Sequence, residues 1–149
     1  MKPPVEVRPF LRRHLRRVME IERACFDRDA YPRDLFLELY GESAGLFFVA
    51  RRSRRIAGYS VTCAQGPAAE LVSLAVAPEH RSAGVGTALL RHTIAKLRRK
   101  RVRKLVLTVR PANQAAIRLY RSFGFRAAGK IRRYYEDHTD ALLMRKRLS

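Results

Sequence analysis

Apolar and polar residues alternate from Val5 to Phe10, the period-two pattern of a short strand, and switch to helical spacing from His14 to Phe26. Across that second segment Leu15, Val18, Met19, Ile21 and Ala24 form one apolar stripe. Tyr31-Pro32-Arg33-Asp34 breaks the pattern and opens a second short helix through Leu39, punctuated at its end by Gly41 and Gly45. Strands are predicted at Leu46 to Arg51 and Ile56 to Ala64, joined by the polar hairpin 51–55. After a turn at Gln65-Gly66-Pro67, Glu70 to Val76 is a nearly continuous apolar run, which suits a central strand covered on both faces. Past Pro78 the residues Gly86, Leu90, Thr93 and Leu97 recur at helical steps, and Leu89 and Ile94 widen the same face. Lys104 to Val109 reads as a strand, Asn113 to Phe123 as a helix stopped by Gly124, and Phe125 to Tyr135 and Ala141 to Lys146 as two last strands.

The predicted order is βααβββαβαββ, with no internal repeat, low-complexity segment or linker, so residues 1–149 are expected to form one mixed α/β domain. A chain of 149 residues with 47% hydrophobic and 30% charged residues is ordinary for a globular domain, which excludes disorder. No apolar run approaches the ~20 residues that span a bilayer, and the N-terminal segment lacks the apolar stretch of a signal peptide. The expectation is a cytoplasmic protein without a membrane partner. Cys25 and Cys63 are too few for a disulfide scaffold and have no metal-ligand spacing with His14, His80, His92 or His138, so no metal is expected.

Charge changes the picture. The 32 basic residues exceed the 13 acidic ones for a net +19, and the excess is concentrated in the C-terminal half. Residues 76–149 carry 19 basic side chains against 4 acidic, whereas residues 1–75 carry 13 against 9. Such a field suits a phosphate-bearing cofactor, a ribosomal or acidic partner, or nucleic acid. Nucleic acid is the less favoured reading, because the chain has no stacked aromatic platform or recognition motif.

The chemistry is concentrated where the apolar run 70–76 passes through Ala77-Pro78-Glu79-His80-Arg81-Ser82-Ala83-Gly84-Val85-Gly86-Thr87 into a helix. At a helix N-terminus the first amides lack partners and the dipole adds about half a positive charge, so a diphosphate can sit there, and glycine lets the backbone approach it. Arg-x-x-Gly-x-Gly is neither the dinucleotide fingerprint nor a P-loop.

The segment from Glu70 to Met144 resembles the acetyl-coenzyme A binding core of the GNAT N-acetyltransferase superfamily. Val109-Arg110-Pro111-Ala112-Asn113, Ala116-Ile117-Arg118-Leu119-Tyr120, Phe123-Gly124-Phe125 and Arg133-Tyr134-Tyr135 with Asp140 to Met144 resemble its ribosomal-protein-alanine branch. Phe26 and Tyr31-Pro32 resemble that branch's loop between the first two helices. The resemblance implies a single-domain GNAT fold, a mixed, mostly antiparallel sheet of about seven strands flanked by four helices. It implies acetyl-CoA as co-substrate and a protein or peptide amine as acceptor, most of all an N-terminal α-amine. The backbone of Leu74, Ala75 and Val76 would pair with the pantetheine arm and polarise the thioester carbonyl, a contribution of roughly 3 to 4 kcal/mol per donor in acyl transfer. Arg81, Ser82, Ala83, Gly84, Val85, Gly86 and Thr87 would hold the diphosphate. Asn113 would contact the cofactor arm and also suits the N-cap of its helix. Tyr120 would protonate the departing thiolate, and Tyr31, Tyr134 and Tyr135 would wall the acceptor site.

One position departs from the branch. Thr108 stands where a glutamate commonly serves as general base, and threonine cannot take that role. Glu70 is the expected substitute, since Ala69-Glu70-Leu71-Val72 resembles the strand of GNAT enzymes that carry their base there. A lysine side chain or a small-molecule amine is the alternative acceptor, and a basic ribosome- or nucleic-acid-docking module the alternative of another class. Cys63 lies mid-strand without a neighbouring histidine, which disfavours an acetyl-cysteine route. The run Arg98 to Lys104 solvates a helix end and favours its dipole.

Overall fold

The computed structural model describes residues 3–148. The elements are β1 (Val5–Pro9), α1 (Leu15–Phe26), α2 (Arg33–Glu42), β2 (Phe47–Arg52), β3 (Arg55–Gln65), β4 (Ala68–Val76), α3 (Val85–Arg99), β5 (Lys104–Val109), α4 (Gln114–Ser122), β6 (Arg126–Ile131) and β7 (Ala141–Arg147). Seven strands form one sheet in the order β1-β2-β3-β4-β5-β7-β6. All neighbours run antiparallel except β4 and β5. This is the mixed, mostly antiparallel sheet with four helices that the resemblance implies, and no helix among the described residues is long and apolar enough to cross a membrane.

Helices cover both faces of the sheet, and the alternation of side chains along each strand supplies both cores. On one face Val18, Met19 and Ile21 of α1 and Phe36 of α2 pack on Phe47, Val49, Tyr59 and Ala75. On the other, Val85, Leu89, Ile94 and Leu97 of α3 and Ile117 of α4 pack on Phe48, Ala50, Leu71, Leu105 and Met144. Burial on both faces explains why β2 and β4 read as continuous apolar runs.

One strand ends earlier than predicted. β6 stops at Ile131 rather than continuing to Tyr135, because Arg133 (φ 50) and His138 (φ 66) turn the chain away. Asp140 accepts from the Arg133 amide at 3.1 Å, and the Tyr135 amide donates to the Thr139 carbonyl at 3.2 Å. The tyrosine pair is thereby moved from the sheet edge into a loop above the ends of β5 and β7.

Candidate active site

The site begins with an interrupted pairing. β4 and β5 pair only through Ala68, Ala69 and Glu70 opposite Lys104, Leu105 and Val106. On its other side β4 keeps its ladder with β3 to Val76. Among the described residues, the β5-facing edge of β4 from Leu71 to Val76 therefore has no ladder partner. A bulge marks the divergence: Val61 faces Ser73 while the next residue, Thr62, faces Leu71, so Val72 is an extra residue that bends the strand. A cleft of about 880 Å³ opens in the gap, lined by Leu74, Ala75 and Val76 on one side and Leu107, Thr108 and Arg110 on the other. That volume lies within the roughly 300 to 1,000 Å³ usual for ligand pockets.

One end of the cleft is the turn into α3. Ser82 (φ 62) and Gly84 (φ 83) both adopt left-handed conformations, and Gly84 is the N-cap of α3 with no side-chain cap. Arg81, Ser82, Gly84, Val85, Gly86 and Thr87 line the cleft here. Ala83 is not a wall residue and packs against the α3 core. Two glycines set how closely this helix sits. A Cβ on Gly86 would lie 3.0 Å from Leu119 Cδ2, and one on Gly58 would lie 2.7 Å from the Ala75 carbonyl oxygen and 2.9 Å from Val85 Cγ1. An uncapped helix N-terminus open to a cleft is a ready anion site.

α4 supplies the next wall. Asn113 caps it, its Oδ1 accepting from the Ala116 amide at 3.2 Å, and still borders the cleft. Tyr120 lies about two turns beyond Asn113, 6% exposed, in the cleft wall with its ring 5.6 Å from Phe125. Burial, reinforced by Tyr135, pushes its phenol well above the ordinary value, so the hydroxyl keeps its proton at neutral pH.

At the opposite end, Tyr31 from the α1–α2 loop and Tyr134 and Tyr135 from the β6–β7 loop complete the wall. The Tyr134 and Tyr135 rings meet edge to face at 4.9 Å. Arg110, at the end of β5, lies 4.0 Å below the Tyr135 ring and bonds Asp29 of one loop and Asp137 of the other. The Asp137 carboxyl is held down at about 2 by hydrogen bonds from Thr139 and then Arg110. Tyr31 is pushed up to about 12, first by burial and then by the charges of Tyr134, Glu22, Glu70 and Tyr135.

Glu70 is exposed at the last β4–β5 pair, close enough for its charge to reach Tyr31, but it is not a wall residue. Asp27, Asp29 and Glu22 border the cleft, and the buried carboxyl among them is Glu22 of α1, only 1% exposed. Its Oε2 accepts from the Tyr31 amide at 2.9 Å, and its Oε1 accepts from the Ser73 hydroxyl at 3.2 Å and from the Tyr59 hydroxyl. Burial raises it to about 7 despite those donors. The sequence held a signal for it: Glu22 is seven residues after Leu15 and four after Val18, an acid on the apolar stripe of α1. Cys25, also in the wall, donates to the Val76 carbonyl at 3.2 Å, and burial pushes its thiol up. Cys63 lies outside the cleft, its thiol likewise raised by burial. Among the described residues no cluster of His, Cys, Asp and Glu is arranged to hold a metal ion.

The fold and the parted central strands are those of an acyl-transfer scaffold, and residues 15–125 match the Acetyltransferase (GNAT) family. The chain belongs to that family and is an N-acetyltransferase. It is 36% identical over 147 residues to an uncharacterized N-acetyltransferase of Methanocaldococcus jannaschii, covering 95% of this chain and 90% of that one. An N-alpha-acetyltransferase of Sulfurisphaera tokodaii is 31% identical over 140 residues, covering 85% and 83%. Among solved structures, the ribosomal-protein-S18-alanine N-acetyltransferase of Escherichia coli superposes with a TM-score of 0.85 at 30% identity, covering 98% of this chain and 95% of that one.

Proposed function

We propose that this N-acetyltransferase moves the acetyl group of acetyl-CoA onto the N-terminal α-amine of a protein or peptide, by direct attack within a ternary complex. The observation that carries the reading is the open edge of β4 running down to the uncapped start of α3. Residues Arg81 to Thr87 hold the diphosphate with backbone amides and the Arg81 guanidinium. Part of the positive field of the C-terminal half serves the same phosphates. Leu74, Ala75 and Val76 offer the alternating amides and carbonyls of an unpaired strand to the pantetheine arm, and one amide polarises the thioester carbonyl. Asn113 borders that arm.

Acetyl-CoA supplies an activated acyl carbon. As the amine nitrogen bonds to that carbon and the carbon–sulfur bond breaks, Tyr120 hands its proton to the sulfur. Its raised phenol is fully protonated at neutral pH; the transfer to a thiolate, whose acid lies near 8.5, leaves a phenolate that takes its proton back from water as the products leave. The amine must lose a proton, and two carboxyl groups flank Tyr31: Glu22 inside the cleft and Glu70 outside. Glu70, the base expected from sequence, stands at the last β4–β5 pair and is not in the cleft wall. Cys25, a thiol rather than a thiolate at neutral pH, is a poor acetyl carrier, which favours direct attack.

The acceptor enters between Tyr31 and the Tyr134–Tyr135 pair. An α-amine is favoured because the S. tokodaii relative is an N-alpha-acetyltransferase and the E. coli relative acts on an alanine, whose side chain has no nitrogen. Such an amine, near 7.7 to 8.0, is partly neutral at physiological pH, unlike lysine near 10.4. The test is incubation with acetyl-CoA and short peptides carrying both a free α-amine and an internal lysine, followed by fragmentation mass spectrometry. Acetyl on the terminal nitrogen supports the reading; acetyl confined to lysine assigns the alternative acceptor.

A further inference from the structure

We propose that Glu22 is the final acceptor of the proton lost by the attacking amine, and that Ser73 relays it. This inference rests on the transferase reading above and assigns its proton path.

The geometry supports the relay at each position. Ser73 follows the bulge residue Val72, precedes Leu74 and lines the cleft within the strand proposed to orient the thioester. It donates to Glu22 Oε1 at 3.2 Å and lies 3.0 Å from the Tyr59 hydroxyl. Glu22 is fixed from three elements: Tyr59 of β3, Ser73 of β4 and the Tyr31 amide of the α1–α2 loop. The loop that walls the acceptor is therefore tied by its backbone to the same carboxyl. An acid buried on an apolar helix face costs stability, and a neutral amide would satisfy most of the same partners. Retaining an ionisable group at this point has a use in proton transfer.

In the step, the nitrogen bonds to the acyl carbon and its proton passes to the Ser73 oxygen as the Ser73 hydroxyl proton passes to Glu22 Oε1. The product nitrogen is left neutral and Glu22 becomes a carboxylic acid, which returns its proton through Ser73 to water once the product leaves. Three titratable groups face Glu22: the Tyr59 phenol from β3, the Tyr31 phenol from the loop and the Cys25 thiol from its own helix, with the Arg81 guanidinium 3.7 Å beyond that thiol. Burial raises the Tyr31 phenol and the Cys25 thiol, leaving Glu22 as the group that changes charge near 7.

The experiment compares pH profiles of kcat/KM for wild type, Glu22→Gln, Ser73→Ala and Glu70→Gln. Wild type should bend on its acid side near 7. Glu22→Gln should lower kcat by about 100-fold with little change in the KM for acetyl-CoA, and should remove the bend; Ser73→Ala should lower kcat by about 10-fold. Glu70→Gln should keep the bend. A folded Glu22→Gln enzyme with wild-type kcat, or a bend abolished by Glu70→Gln instead, overturns the proposal. Carboxyl-carbon NMR of labelled protein reads Glu22 without any acceptor or variant. Titration between about pH 6 and 8 supports the proposal, and titration in the ordinary carboxylate range near 4.3 overturns it. A wild-type protein that acetylates no amine defeats the transferase reading, and the NMR titration then still decides whether Glu22 has the protonation the relay needs.

Discussion

Arg110 grips Asp29 with two nitrogens, Nε at 2.5 Å from one carboxylate oxygen and Nη2 at 3.0 Å from the other, although 81 residues separate the two in sequence. The same guanidinium reaches Asp137 at 3.2 Å. One side chain at the end of β5 thus fixes both loops that wall the proposed acceptor end of the cleft, with a fork geometry that lysine cannot reproduce. Replacing Arg110 by alanine or lysine should raise the KM for a peptide acceptor by about 10-fold while leaving the KM for acetyl-CoA within about twofold, because only acceptor-side geometry is lost. Steady-state kinetics with each substrate varied in turn checks this.

Tyr120→Phe removes one oxygen from a buried ring that otherwise packs on Phe125. The fold should be kept, and kcat should fall by about 100-fold with KM values little changed, the loss expected for a general acid. Full turnover in this variant would remove Tyr120 from the mechanism.

The two tight glycines should respond differently to alanine. At Gly58 the added carbon meets backbone, the Ala75 carbonyl oxygen at 2.7 Å, and cannot be accommodated by a side-chain rotation. Gly58→Ala should cost about 2 kcal/mol or more and weaken acetyl-CoA binding by shifting α3. At Gly86 the nearest atom is Leu119 Cδ2 at 3.0 Å, the end of a flexible side chain. There the gain in helix propensity, up to about 1 kcal/mol, offsets the crowding, and Gly86→Ala should stay near wild-type stability. Denaturant unfolding of both variants measures the difference.

Burial raises the Glu22 carboxyl from the ordinary 4.5 to about 7, so folding favours its neutral form. Its contribution is fully present below about 4.5 and is lost as pH rises through 7. Glu22→Gln should therefore gain stability relative to wild type on going from pH 5 to pH 8, by on the order of 2 kcal/mol. Unfolding free energies at the two pH values test this. An equal difference at both would mean that the carboxyl does not ionise in that range.

Much of the fold was legible because its signals are local. The stripe Leu15 to Ala24, the apolar run before Val76 and the Arg-x-x-Gly-x-Gly turn each fix conformation over a few residues. The end of β6 was not, because Tyr134 and Tyr135 have strand propensity that the turn at Arg133 and His138 overrides. The Glu22 cluster was missed for a different reason. Its partners Tyr59 and Ser73 lie 37 and 51 residues along the chain, and only closure of the sheet against α1 brings their hydroxyls to one carboxyl. The Arg110 fork is equally non-local. Thr108, flagged in the sequence as a departure, does line the cleft, so the absence of a carboxyl at that wall position is real.

The central claim is that a diphosphate sits on the amides opening α3 while a thioester arm lies along the free edge of β4. Backbone amide NMR during titration with coenzyme A tests it most directly. The account predicts that the largest shifts fall on residues 82–87 and 74–76 and saturate together. Shifts concentrated elsewhere, or a spectrum unchanged by excess coenzyme A, would contradict it.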